Sequence, residues 1–381
     1  LGDNTLKGDN DMKKLGFGAM RFPLLQADDP KSVDMETTKK MLDAFMAAGF
    51  TYFDTAYVYH GGKSEEILRE LIVKRYPRDS FTITDKLPLV DKPAAEQLPG
   101  IFDEQLSRCG VDYFDYYWIH NINRETYDHA EKVGAFEFLQ QKKAEGKAKH
   151  IGFSFHDTAE MLDGILTKHP EVEYVQLQLN YLDWEDANVQ SRKCYEVCVK
   201  HGKPVIVMEP VKGGRLAMLP EAAEKLLKSH APEASVASWA IRFAASQENV
   251  MVVLSGMSTP EQTADNLSYM QDFKPLTEEE QKVALEAGEI IRRSVAIGCT
   301  ACHYCTDGCP QSIPIPEIFK IYNDCKMFPY QAKQYYVNQY AAATKEHGKA
   351  SDCIGCRQCE EHCPQHLDIT GWLQTCAEAF K

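Results

Sequence analysis

From residue 14 onward the chain alternates short runs rich in β-branched and aromatic residues with longer stretches whose apolar positions recur at spacings of three and four. The runs at 14–18, 51–55, 81–86, 113–120, 150–154, 175–179, 204–208 and 250–254 predict strands. Segments 35–48, 64–76 and 133–145 have the spacing of helices with one buried face. Eight such strand–helix units point to a closed parallel (β/α)8 TIM barrel of the α/β class, with an open doubly wound sheet as the alternative. A barrel takes ~250 residues. The chain has 381, so a second domain is expected.

The pattern changes after Pro275. A charged helix is expected over 277–293, and no strand-like run follows it. Residues 1–285 are therefore assigned to the barrel and 286–381 to a smaller, mainly helical domain, with helices expected over 318–327 and 331–343. This second domain contains an internal repeat. Cys299, Cys302, Cys305 and Cys309 recur as Cys353, Cys356, Cys359 and Cys363, each displaced by 54 residues. The match extends to Pro310, Gln311, Ile313 and Ile315 against Pro364, Gln365, Leu367 and Ile369, which implies two equivalent half-sites.

Each copy reads C-x2-C-x2-C-x3-C-P, the run that gives three thiolates to one cuboidal cluster and sends the fourth to the other. By that rule one 4Fe-4S cluster takes Cys299, Cys302, Cys305 and Cys363, and a second takes Cys353, Cys356, Cys359 and Cys309. Zinc is the competing reading, since four thiolates also suit a tetrahedral ion, but zinc ribbons usually present two separated C-x2-C pairs. Disulfides between ligands this close in sequence would be strained. The other five of the 13 cysteines, Cys109, Cys194, Cys198, Cys325 and Cys376, lack ligand spacing and read as buried structural thiols on helices.

Charge narrows the partners. Lys plus Arg (42) against Asp plus Glu (56) gives a net −14, which leaves no broad cationic face for nucleic acid. The acidity serves solubility, or the docking of a basic redox partner. No stretch approaches the ~18 consecutive apolar residues that a membrane helix needs. The N-terminus, which begins at Leu1 without Met, shows no apolar signal segment. A cytoplasmic setting, suited to oxygen-sensitive clusters, is expected.

In a parallel barrel, chemistry sits at the C-terminal ends of the strands, where a polar residue closing an apolar strand is informative. The second expected strand ends at Asp54 and runs on to Tyr59, the third ends in Lys86 and the fourth in His120. Asp54-Thr55-Ala56-Tyr57-Val58-Tyr59 with Lys86 and His120 resembles, in order and strand number, the Asp, Tyr, Lys and His tetrad of the aldo-keto reductases. The resemblance covers about residues 14–275. Joined to cysteine motifs over 299–364 that resemble bacterial two-cluster ferredoxins, it is similar to aldo-keto reductases with a fused ferredoxin-like domain.

The resemblance implies that Tyr59 protonates the alkoxide formed when hydride adds to a carbonyl, with Lys86 lowering its pKa, Asp54 holding Lys86, and His120 orienting the carbonyl oxygen. It implies a nicotinamide cofactor contacted by Gly18 and Met20 after the first strand and by Ser154 and Gln176. Met208 stands where the family places a stacking aromatic, and Phe155 where it usually has Asn. Pro210, Val211 and Gly213 follow as the loop around the pyrophosphate. Gly256, Ser258, Gln262, Asp265 and Asn266 match G-x-S-x3-Q-x2-E-N at the adenosine phosphate, with Asp for Glu. On this basis NADP(H) is favoured over NAD(H).

Three functions remain open from sequence. The first is an NAD(P)H-dependent reductase of small carbonyl compounds whose clusters relay single electrons to a ferredoxin or other redox protein, or only stabilise the fold. The second is a nicotinamide-binding redox sensor with slow turnover, and the third a ferredoxin-driven reductase that does without nicotinamide. Tyr57, Trp118, Tyr181 and Trp184 are candidates either for a substrate pocket or for packing.

Overall fold

The computed structural model describes residues 12–381 apart from 27, 28, 90, 188, 294, 295, 300–302, 307, 329, 330 and 364, so Cys302 and Pro364 lie outside the described residues. The strands are β1 (Leu15–Gly18), β2 (Tyr52–Asp54), β3 (Thr82–Leu87), β4 (Phe114–Ile122), β5 (Ala148–Phe155), β6 (Tyr174–Gln178), β7 (Val205–Met208) and β8 (Val250–Ser255). They pair in chain order, all parallel, and β8 returns to β1 to close the barrel. Closure removes the alternative of an open sheet.

The two-residue period of a strand sorts the side chains. Tyr52, Tyr116, Trp118, Tyr174, Ile206, Val252 and Leu254 form one buried apolar cluster that fills the barrel. Phe17, Phe45, Phe50 and Phe53 pack as a second aromatic group where β1 and β2 meet helix Met35–Ala47. Trp118 and Tyr181 are fully buried, which makes them packing residues rather than pocket lining. Room for the Trp118 indole comes from Gly152 on the neighbouring strand. A β-carbon there would lie 2.7 Å from the indole and 2.2 Å from the Tyr174 carbonyl oxygen.

Two elements depart from the pattern expected of them. β4 does not stop at His120 but continues to Ile122, with a register shift between Ile119 and Ile122 and a left-handed φ of 60° at Asn121. The segment expected as one helix over 64–76 is an α-helix only over Ser64–Leu68, then widens into a π turn over Arg69–Val73.

The described chain divides into two compact units, Leu1–Leu216 with Glu233–Leu285, and Ala217–Pro232 with Glu286–Lys381. Helix Glu221–His230, which precedes β8 in sequence, thus groups with the cysteine-rich unit. That unit also holds helices Ile315–Met327, Lys333–Ala343, Gln358–Glu361 and Ile369–Ala379. Ile313, Ile315, Ile318, Phe319, Tyr322, Tyr336, Ile369, Leu373 and Phe380 form its core, with which six of the repeated cysteines pack.

Candidate active site and cluster sites

Polar side chains interrupt the apolar lining of the barrel at one end. Asp54, Lys86 and Gln176 are buried there, and their polar atoms meet. Lys86 Nζ donates to Asp54 Oδ1 at 2.5 Å and to the Thr55 carbonyl at 2.6 Å, while Gln176 Nε2 donates to Asp54 Oδ2 at 3.1 Å. Tyr59 opens a short 3-10 turn, Tyr59–Gly62, that folds over this pair. Its ring centroid lies 5.0 Å from Lys86 Nζ and 6.0 Å from the His120 ring, which meets it edge-on at 82°. The four residues of the tetrad therefore converge.

The turn that presents Tyr59 is fixed on both sides. Thr55 Oγ1 donates to Ser64 Oγ, which donates to the Ala19 carbonyl after β1, each at 2.9 Å. His60, at a left-handed φ of 52°, accepts from the Phe22 amide at 3.2 Å through Nε2, which leaves its Nδ1–H for the Pro30 carbonyl at 2.9 Å.

Electrostatics sort the roles. Burial opposes the charge on Lys86, but Asp54, Tyr59 and Asp85 outweigh it and raise its pKa, so the ammonium persists. Burial raises the Tyr59 phenol above its usual value, and Lys86 only partly offsets this. The net shift is thus upward, opposite to the simple expectation of a phenol acidified by its lysine. Burial, then Lys86, pushes His120 down to about 3, so its imidazole is neutral at physiological pH. On the outer side of β3, Asp85 accepts from the Lys86 amide at 2.8 Å and from the Cys109 thiol at 3.8 Å, with Glu65 beside it. Burial, then Glu65, raises Asp85 well above the carboxylate range, since two carboxyl groups this close and this buried do not both ionise. Nothing in the sequence pattern singles out Glu65 or Asp85.

The residues expected around a dinucleotide divide into two groups. Gly18, Met20, Met208, Val211, Gly213, Gly256 and Ser258 keep some exposure at the ends of β1, β7 and β8 or the loops beyond them, and Gln262 and Asp265 keep some on helix Pro260–Met270. Pro210, Ser154, Gln176 and Asn266 are buried. Ser154 Oγ accepts from the Asn121 amide at 2.7 Å, which pins the β4 irregularity. Gln176 leaves its amide oxygen for a ligand, its nitrogen being on Asp54. Asn266 has both ends occupied, donating to Ser255 Oγ and accepting from Tyr269 Oη, each at 2.6 Å. Gln262 accepts from the Ser258 amide at 2.7 Å, and Asp265 accepts from Ser235 Oγ at 2.8 Å. The glycine-lined loops after β7 and β8 fit a pyrophosphate, and Asn266 keeps a second amide N–H beyond the one given to Ser255.

The cysteines gather in two places. Cys299, Cys305 and Cys363 line one cavity with Ile315, Phe319 and Leu367. Cys309, Cys353, Cys356 and Cys359 line another with Ile313, Ile354 and Leu373. Each cavity mixes thiols from both copies of the motif. The backbone repeats as well, with left-handed φ at His303 and Ser312 recurring 54 residues on at Arg357 and His366. The turn bonds Thr306 N to His303 O and Ser312 N to Cys309 O, both 2.9 Å, recur as Glu360 N to Arg357 O and His366 N to Cys363 O, at 2.9 and 3.0 Å. Among the described residues three thiols line the first cavity and four the second, groupings that fit cuboidal iron–sulfur clusters. Of the five other cysteines, Cys109, Cys194, Cys198 and Cys376 are buried, while Cys325 is only partly so.

Among the described residues no helix is long and apolar enough to cross a membrane. Comparison with known proteins matches residues 14–284 to the aldo/keto reductase family and residues 291–368 to a 4Fe-4S dicluster domain. An aldo-keto reductase of Strobilurus tenacellus is 27% identical over 226 residues, 55% of this chain and 61% of that protein, so the match spans less than two thirds of its length. The L-galactose dehydrogenase of Arabidopsis thaliana is 25% identical over 295 residues, covering 72% of this chain and 88% of that protein. An aldo-keto reductase structure from Klebsiella pneumoniae, in complex with NADPH, shares the fold at a TM-score of 0.55 and 20% identity, over 73% of this chain and 91% of that one. The chain belongs to the aldo/keto reductase family of oxidoreductases, with a 4Fe-4S dicluster domain following its barrel.

Proposed function

We propose that this protein reduces the carbonyl group of a small aldehyde or ketone to an alcohol, using NADP(H) in preference to NAD(H). The observation that supports this is the buried Asp54–Lys86 ion pair directly beneath the Tyr59 ring, with a neutral His120 at its edge. When bound, the nicotinamide supplies hydride. The protein's own residues manage the proton. Tyr59, with its pKa raised, stays a phenol and gives its proton to the carbonyl oxygen as that oxygen gains charge. Lys86 remains an ammonium held by Asp54 and stabilises the phenolate left behind. His120, uncharged, orients the carbonyl oxygen by a hydrogen bond. Gly18, Met20, Ser154, Gln176, Met208, Pro210, Val211, Gly213, Gly256, Ser258, Gln262, Asp265 and Asn266 would contact the cofactor.

In the same reading the second domain binds two 4Fe-4S clusters, one on Cys299, Cys302, Cys305 and Cys363 and one on Cys353, Cys356, Cys359 and Cys309. Cys356 is exposed. A cluster held there would lie near the surface, where a ferredoxin or other small redox protein can exchange single electrons with it.

The test is the Tyr59→Phe variant, purified without oxygen and assayed for carbonyl-dependent NADPH oxidation over a panel of aldehydes and ketones. Turnover should fall by about 10²-fold or more while nucleotide binding is retained. Unchanged turnover in the variant would refute the assignment of the acid.

A further inference from the structure

Behind the tetrad, on the outer face of β3, lies a buried polar group that the chemistry above does not use. Glu65 comes from helix Ser64–Leu68, Asp85 from β3 itself, and Gln105, Arg108 and Cys109 from one face of helix Leu98–Cys109. Glu65, Asp85, Gln105 and Cys109 are fully buried. Acids in such a place are costly unless they are paired or hydrogen-bonded.

What they bond to is the main chain of Lys86. Thr84 still meets the chain of β2, its carbonyl accepting from the Thr55 amide at 2.9 Å. Two residues on, the amide and carbonyl of Lys86 point the same way, but beyond the end of β2 at Asp54. Side chains take over there. Asp85 Oδ1 accepts from the Lys86 amide at 2.8 Å, and Gln105 Nε2 donates to the Lys86 carbonyl at 2.9 Å. Gln105 is itself oriented, its amide oxygen accepting from Tyr117 Oη at 2.6 Å. The two peptide groups flanking the Lys86 Cα are thus held from outside the barrel, while Nζ is held from inside by Asp54.

Arg108 neutralises one of the two carboxyls, with Nη1 3.1 Å from Glu65 Oε2. Glu65 Oε1 is buried without a hydrogen-bond partner among the described residues. Carboxyl oxygens of Glu65 and Asp85 come within 4.8 Å of each other and of the Cys109 sulfur. A proton on Asp85 supplies the donor that Oε1 lacks and leaves one negative charge against one positive.

Resting on the reading of Lys86 as the cation beside the acid Tyr59, we propose that Glu65 and Asp85 share one proton and, with Gln105, are positioning residues for Lys86. They touch neither substrate nor cofactor. Their grip on the two peptide groups sets the direction in which the lysine side chain leaves β3, and so where Nζ meets Asp54 and the Tyr59 ring.

The test uses the full-length protein with its clusters intact. Asp85→Asn keeps the shape, an acceptor for the Lys86 amide and a donor for Glu65, whereas Asp85→Ala removes all three. Asp85→Ala should lower kcat for carbonyl reduction by about tenfold to a hundredfold, the cost of a misplacement of about 1 Å, with KM and nucleotide affinity little changed. Asp85→Asn should bring kcat back near that of the wild type. In a Lys86→Met background Asp85→Ala should cost nothing further, because it acts through that lysine. The infrared spectrum of the wild type should contain the C=O band of a protonated carboxyl that Asp85→Asn removes. The proposal is overturned if Asn serves no better than Ala, if the two losses multiply, or if no such band is lost. Should Asp85→Ala not fold, Gln105→Met, which frees only the Lys86 carbonyl, takes its place with the same expected loss and the same lack of additivity. If the wild-type protein reduces no carbonyl compound, the reading of the tetrad fails. The shared proton is then judged by the infrared band, and the grip by hydrogen exchange in β3, which should quicken in Asp85→Ala but not in Asp85→Asn. Equal exchange in all three proteins refutes it.

Discussion

Lys86 stays charged inside a barrel because Asp54 and the Thr55 carbonyl accept hydrogen bonds from two of its three N–H groups, which offsets the cost of desolvation. The same charge helps keep His120 neutral. This fixes the expected pH dependence. With His120 at about 3, its protonation does not intrude at ordinary pH, so carbonyl reduction should show no inflection near 6.5, the value of a free imidazole. Tyr59 must be protonated to act, so on the alkaline side activity is lost as pH rises through its raised pKa. A profile of kcat/KM should therefore be flat from about pH 5 to 9. An inflection near 6.5 that vanishes in His120→Gln would show that imidazolium takes part. Lys86→Met should cost at least as much turnover as loss of Tyr59, because it leaves Asp54 buried without a countercharge as well as Tyr59 without its cation. The tetrad was legible in the sequence because each member closes or follows an apolar strand, a context that makes a polar side chain conspicuous. The buried carboxyl pair of Glu65 and Asp85 was not, since a glutamate on a helix and an aspartate within a strand have no pattern of their own.

The strands themselves were readable to within one or two residues at most ends, because β-branched and aromatic runs bounded by polar turns have few other uses. The exceptions are where side chains from other elements decide the backbone. β4 continues past His120 because the Ser154 hydroxyl accepts the Asn121 amide and holds the chain against β5 through a left-handed residue. The π turn at Arg69–Val73 is likewise invisible to an apolar spacing that changes little between π and α geometry. Gly152 makes the dependence between elements measurable. It lets Trp118 of β4 lie flat against β5, and its substitution by alanine would drive a methyl group into both the indole and the Tyr174 carbonyl. The carbonyl belongs to the ladder and cannot turn away. Gly152→Ala should therefore destabilise the barrel by about 3 kcal/mol or more, the upper end of overpacking costs, in chemical denaturation. A change below about 1 kcal/mol would mean that β5 and β6 shift freely, contrary to a closed sheet.

Across the molecule, two kinds of organisation differ in how far sequence reveals them. The grouping of helix Glu221–His230 with the cysteine-rich unit left no trace, since its composition is that of any amphipathic helix in a barrel. The cysteine repeat was legible because metal ligation constrains spacing directly, and the 54-residue offset survives down to individual turn bonds. What the repeat alone leaves to a rule is how the eight thiols are shared, and here the cavities favour exchange. Cys363 lies with Cys299 and Cys305, and Cys309 with Cys353, Cys356 and Cys359. This arrangement makes each half of the domain depend on the other, so neither motif should assemble a full cluster by itself. Pairs of alanine substitutions distinguish exchange from separate sites. Alone, Cys363→Ala should lower iron from about eight to about four atoms per chain. Adding Cys299→Ala, from the other motif, should lower it no further, because both residues serve one cluster. Adding Cys353→Ala, from the same motif, should remove nearly all of it. If the two pairs give the opposite result, each motif holds its own cluster and the mixed cavities do not mark the ligand sets.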